Sequence, residues 1–249
     1  MKAYIITGTS RGIGEALAEQ LAQPGHRIYC IARTANDKLA ELAAARNATL
    51  SHHPYDLNDL EGIPGLLEDI LASARELSDL EAVYLINNAG MLAPVMPIGQ
   101  CASEQIIANM SINLLAPMLL TARFIELTET WAVDKRILNV SSGSAKYLLP
   151  NQSCYSTAKS GLDSFTKSIH LEQQQATAPV KIASVYPGVI DTQMQAEIRS
   201  TSKEDFPYVD QFIQLQQEGL LQTPAYTAEK LLALLASEAF GDTPLVEQL

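Results

Sequence analysis

The chain has 249 residues, 47% of them hydrophobic and 18% charged, with a net charge of −11. That length and composition suit one soluble α/β domain spanning residues 1–249, with a sizeable core. The acidic balance excludes a nucleic-acid binder, which needs a basic face for phosphates, yet leaves room for a phosphate-bearing cofactor held by local groups.

Residues 3–7, Ala-Tyr-Ile-Ile-Thr, are short, apolar and rich in strand formers, so they predict a buried strand. The turn Gly8-Thr9-Ser10-Arg11-Gly12-Ile13-Gly14 follows, and residues 15–23 carry apolar positions at helical spacing. Strand, glycine turn and helix form the context that a dinucleotide site requires. Glycines let the backbone approach a pyrophosphate, and the helix N-terminus offers free N–H groups. Further strands are predicted at 26–32, 49–55, 82–86, 136–140, 181–185 and, briefly, 244–247. Helices are predicted at 37–45, 59–76, 103–130, 153–175 and 227–237. Such alternation implies a doubly wound parallel sheet of the Rossmann type, with helices on both faces. A site on this fold belongs at the carboxyl ends of the strands.

The second strand ends at Arg33, where an NAD-binding protein usually has an acid for the ribose hydroxyls. Arg33 and Arg11 together suit a 2′-phosphate and so predict NADP(H). Asp37 lies four residues too late to be the ribose acid. Pro117, inside the long predicted helix, cannot donate to the carbonyl of Asn113 and frees it to accept a water. Tyr155 and Lys159 stand four apart on a predicted helix, hence on one face. A nearby ammonium is expected to draw the phenol down from its usual value of about 10.

These pieces, in order along nearly the whole chain, resemble the short-chain dehydrogenase/reductase family. Its nucleotide motif T-G-x-x-x-G-x-G matches residues 7–14, and its Y-x-x-x-K motif matches Tyr155 and Lys159. Asp56, Asn87-Asn88-Ala89-Gly90, Asn113, Ser142 and Pro187-Gly188 with Thr192 match other family positions. The resemblance implies a catalytic set of Asn113, Ser142, Tyr155 and Lys159. It implies cofactor contacts from Gly8, Ser10, Arg11, Gly12, Ile13, Gly14, Arg33, Asp56, Leu57, Asn88, Ala89, Gly90, Tyr155, Lys159, Pro187, Gly188, Val189 and Thr192. Ser142 is preferred to Ser141 by its spacing from Tyr155.

Within the family, residues 112–118, 134–136, 191–196 and 203–206 are similar to the sepiapterin-reductase-like group. That similarity implies reduction of one carbonyl of a small diketone. The segments expected to line the pocket, 91–97, 144–149, Tyr186 and the stretch after Asp191, are apolar or aromatic apart from Lys146. A secondary-alcohol dehydrogenase or a pteridine reductase are neighbouring readings. A non-catalytic NADP-binding regulator on the same fold is a reading of another class.

No apolar run is expected to reach the ~18 residues of a membrane span, and no signal peptide is expected at the start of the chain. Cys30, Cys101 and Cys154 are scattered and odd in number, which fits a reducing cytoplasm. The four histidines, including His52-His53, lack metal-ligand spacing, so no metal is expected. A homodimer through the two long helices is expected. A tetramer is less expected, because the chain stops at residues 244–249 where many relatives carry a longer strand and an Asp-Gly-Gly tail.

Overall fold

The computed structural model describes all 249 residues. Seven parallel strands form one sheet in the order β3-β2-β1-β4-β5-β6-β7. They are β1 Lys2–Thr7, β2 His26–Ala32, β3 Thr49–Pro54, β4 Ala82–Asn87, β5 Asp134–Val140, β6 Lys181–Val185 and β7 Leu245–Val246. The order reverses between β1 and β4, and a parallel sheet opens a crevice at such a switch point, beyond the carboxyl ends of its strands.

The sheet sits between two helical layers because its inner strands are apolar on both faces. In β1, Tyr4 and Ile6 point to one core, while Ala3 and Ile5 point to the other. The first core is closed by α1 Gly12–Leu21, α2 Asp37–Ala45 and α9 Pro224–Ala236. The second is closed by α3 Ile63–Arg75 and α5 Ala116–Thr128. Two short helices, α7 Gln193–Ser200 and α8 Val209–Gln217, pack on a third apolar group that includes Leu92 and Tyr155. The sequence did not suggest either of them.

The helix expected over 103–130 is three pieces. α4 covers Ser103–Met110, a π-helical turn covers Ser111–Leu115, and α5 follows. The Ala116 N–H reaches back to the Ser111 carbonyl, five residues away. Pro117 has no N–H to close the α-helical bond to Asn113, and the ladder widens there. Taken as one segment, Ser103–Thr128 is long and apolar enough to cross a membrane, contrary to the expectation that no run would be. Its apolarity has a local use, since Ala116, Leu120 and Phe124 are buried in the second core.

Candidate active site

The first wall of the crevice is backbone. Gly8 and Gly12 both have φ in the left-handed region, at +74° and +63°, which favours glycine. A Cβ on Gly8 would lie 2.8 Å from Ala89 Cα, so the turns after β1 and β4 touch. A Cβ on Gly14 would lie 2.2 Å from the Gly8 carbonyl oxygen, so α1 could not sit this close to β1 with any side chain there. Asn88 fastens the two turns: its amide donates to the Thr7 carbonyl at 2.9 Å, and the Thr7 hydroxyl accepts from the Asn88 and Ala89 N–H groups at 3.0 Å.

These features fit a nicotinamide dinucleotide. Arg11, the N-cap of α1, makes no side-chain capping bond, so the first amides of the helix are left for a ligand. A Cβ on Gly12 would meet nothing nearer than Thr192 Cγ2 at 3.6 Å, which sets the glycine turn beside the Pro187–Thr192 stretch. Thr192 begins α7 without using its hydroxyl as a cap. Gly188 has φ +93°, and Gln222 pins its segment, accepting from the Asp191 N–H and donating to the Val189 carbonyl, each at 2.9 Å. Arg11 and Arg33 are exposed at this end; the nearest acid to the Arg11 guanidinium is Glu197, at 4.0 Å. Asp56 follows β3, and one of its oxygens accepts from the Asn58 N–H at 3.0 Å. The Leu57 side chain is buried, leaving its backbone for a ligand. Ser10 is exposed, while Ile13 packs partly into the first core.

The second wall is made of side chains. Tyr155 and Lys159 share one face of α6 Ser153–Gln173, with the Lys159 Nζ 5.8 Å from the Tyr155 ring centre. Lys159 is buried, and its ammonium donates to the Val140 carbonyl at 2.8 Å. A Cβ on Gly90 would lie 3.7 Å from that nitrogen, so Gly90 leaves the space above it clear. The Asn113 side chain clamps the backbone of Met91, donating to its carbonyl at 2.8 Å and accepting from its N–H at 3.0 Å.

Ser142 lies two residues beyond β5 on the Tyr155 side, where its hydroxyl accepts from the Ser144 N–H at 3.1 Å. The Ser141 hydroxyl is buried and turned to the Lys159 carbonyl, at 3.5 Å. Burial raises the Tyr155 phenol above its ordinary value, and the Ser142 hydroxyl opposes this. The expected lowering by Lys159 is therefore not met in the protein alone. Burial dominates and keeps the phenol protonated, the form a general acid needs. Lys159 moves the other way: burial draws its ammonium down to about 8, and the Asp163 carboxylate opposes the fall.

An apolar wall completes the site. Tyr155 packs with Leu92, Ile198, Phe206 and Val209, and Val95, Leu149, Met194 and Phe212 lean on the group. Three of the expected pocket segments thus converge, at 91–97, 144–149 and after Asp191. Tyr186 and Lys146 do not join them. The Tyr186 hydroxyl donates to Asp163 behind α6 at 2.8 Å, and Lys146 pairs with Glu247 at 2.5 Å. The sequence reading missed Asn109, whose amide holds the carbonyls of Met91, Leu92 and Ala93 at 2.8–3.3 Å. It also missed Asp163, although its position four residues after Lys159 was a visible signal.

A doubly wound sheet with a glycine turn at its switch point, and a buried Tyr–Lys pair beside it, defines a nicotinamide-dependent oxidoreductase of the Rossmann type. The family model described as short chain dehydrogenase matches residues 2–203. The chain belongs to the short-chain dehydrogenase/reductase family, as the motifs implied, and is an oxidoreductase acting on carbonyl or CH–OH groups. Benzil reductase ((S)-benzoin forming) of Bacillus cereus is 43% identical over 240 residues, which cover 96% of each chain. The protein of that name from Bacillus subtilis is 37% identical, covering 94% of this chain and 93% of its own. Sepiapterin reductase of Meriones unguiculatus is 31% identical, covering 95% and 92%. Among solved structures, the KRED1-Pglu enzyme superposes with a TM-score of 0.83 at 25% identity, over 99% of this chain and 100% of its own.

Proposed function

We propose that this protein is an NADP(H)-dependent reductase of small apolar or aromatic dicarbonyl compounds, working in the cytoplasm. The observation that carries the reading is the buried Tyr155–Lys159 pair facing an apolar, aromatic-rich wall. Strong similarity to proteins named for benzil reduction supports the substrate class.

When bound, the reduced nicotinamide supplies a hydride to a carbonyl carbon. The turn at Gly8, Ser10, Gly12, Ile13 and Gly14 holds the pyrophosphate through backbone amides. Arg11 and Arg33 take the 2′-phosphate. Asp56 and the Leu57 backbone would hold the adenine. Asn88, Ala89 and Gly90 would hold the nicotinamide ribose, and Pro187, Gly188, Val189 and Thr192 would hold the nicotinamide. The Tyr155 hydroxyl donates to the carbonyl oxygen and gives up its proton as charge develops there. Ser142 donates a second hydrogen bond and orients the carbonyl. Lys159 stabilises the resulting tyrosinate, binds the ribose and passes a proton back. A water on the Asn113 carbonyl links Lys159 to solvent.

The three cysteines, odd in number and scattered in sequence, support a reducing compartment. Ile107, Leu115 and Leu171 leave apolar surface on α4, the π-helical turn and α6, which supports a homodimer through those helices.

The test is consumption of NADPH and of NADH with benzil, 1-phenyl-1,2-propanedione, sepiapterin and a simple aliphatic ketone. Turnover of a diketone with NADPH is expected. NADPH binding without turnover of any of the four would favour the regulator instead.

A further inference from the structure

We propose that Asp163 is a positioning residue that acts through Lys159, its buried carboxylate holding the ammonium in the charged form. The proposal rests on the reductase reading only for what Lys159 does. Asp163 lies one helical turn beyond Lys159 on α6, and a spacing of four residues puts both on one face. Its carboxylate is 5% exposed and is tied on both oxygens. The Ser184 hydroxyl donates to Oδ1 at 2.6 Å, and the Tyr186 hydroxyl donates to Oδ2 at 2.8 Å. Both donors come from the end of β6, so the charge is fixed relative to the sheet as well as to the helix.

Lys159 needs such a charge. It is 3% exposed, its direct acceptor is the uncharged Val140 carbonyl, and no carboxylate forms an ion pair with it. A buried ammonium in that position tends to shed its proton. On the face of Lys159 that looks into the site, the neighbouring groups are the Tyr155 phenol, the neutral Asn113 amide and the backbone of Gly90. Behind Asp163 lies a polar cavity of about 360 Å³ bounded also by Lys146, Lys167, Tyr186 and Glu247. Lys146 is paired there with Glu247, and Lys167 is exposed to solvent. Asp163 is thus a buried acid fixed one helical turn from the buried Lys159, and its charge opposes the fall that burial imposes on the ammonium.

The sign follows directly. Lys159 serves the reaction as an ammonium, so reduction is lost as pH rises through its pKa. Removing the Asp163 charge moves that loss to lower pH.

The experiment titrates the Lys159 ammonium by NMR in cofactor-free protein labelled with 15N-lysine, assigned by its disappearance in Lys159→Arg. Asp163→Asn is expected to lower the midpoint by about one pH unit, and Asp163→Glu to restore it. The alkaline limb of kcat/KM for benzil should move with it, a loss of about tenfold above the midpoint. Asp163→Ser serves as a second neutral variant if Asn fails to fold. An unchanged midpoint in a neutral variant that merely melts earlier would overturn the proposal and leave Asp163 as a strap between α6 and β6. A shifted midpoint in a protein whose wild type reduces no carbonyl would keep the charge coupling and sink the reductase reading.

Discussion

The two walls of the crevice are built from different materials. The cofactor end is made of backbone: left-handed glycines, an uncapped helix start and two loops in van der Waals contact. The catalytic end is made of side chains brought from the π-helical turn, the end of β5 and α6. The backbone wall has no room for added atoms where it packs closest, at Gly8 and Gly14, and its hold on the pyrophosphate needs no particular side chains. A side-chain wall tolerates loss of an atom structurally and fails chemically. The difference teaches which substitutions break the fold and which leave an intact protein that does not turn over.

The largest expected effect breaks the first wall. Gly14→Ala drives a Cβ into the Gly8 carbonyl, and overpacking of that kind costs about 3 kcal/mol. The melting temperature should fall by about 6–12 °C even without cofactor, as calorimetry would report. Gly12→Ala sharpens the contrast, because its Cβ would meet little but Thr192. Its stability loss should stay near ~1 kcal/mol, the strain of a left-handed alanine.

A smaller effect separates the phosphate end from the rest of the cofactor site. Replacing Arg11 and Arg33 together with Ala should weaken NADPH binding by about 10- to 100-fold and NADH binding far less, since a guanidinium gains from the 2′-phosphate and little from a hydroxyl. Fluorescence titration with each cofactor measures the ratio. Equal losses would refute the assignment.

The same division governs what the sequence revealed. The backbone wall was legible because its motif is contiguous: strand, glycine turn and helix follow one another within residues 2–21. The strands lay within two residues of their expected ends because buried parallel strands read as short apolar runs. Tyr155 and Lys159 were legible for a similar reason, as one helix carries both. Interactions that depend on a distant segment were not legible. The widened turn at Ser111–Leu115 could be read only as a proline kink, and the hold of Asn113 on Met91 spans 22 residues. α7 and α8 escaped because their polar residues, six of them glutamines, leave a narrow apolar stripe whose partner, the Tyr155 face, lies elsewhere in the chain. Tyr186, expected in the pocket, faces away because Asp163, a residue of another element, takes its hydroxyl.

The central claim is that Tyr155 delivers the proton while the other wall supplies most of the hold on the cofactor. The direct measurement is NADPH affinity and benzil turnover in Tyr155→Phe, side by side with the wild type. The account predicts unchanged folding, near-normal NADPH binding and a loss of turnover of about 10²- to 10⁴-fold. Undiminished turnover in that variant would contradict it.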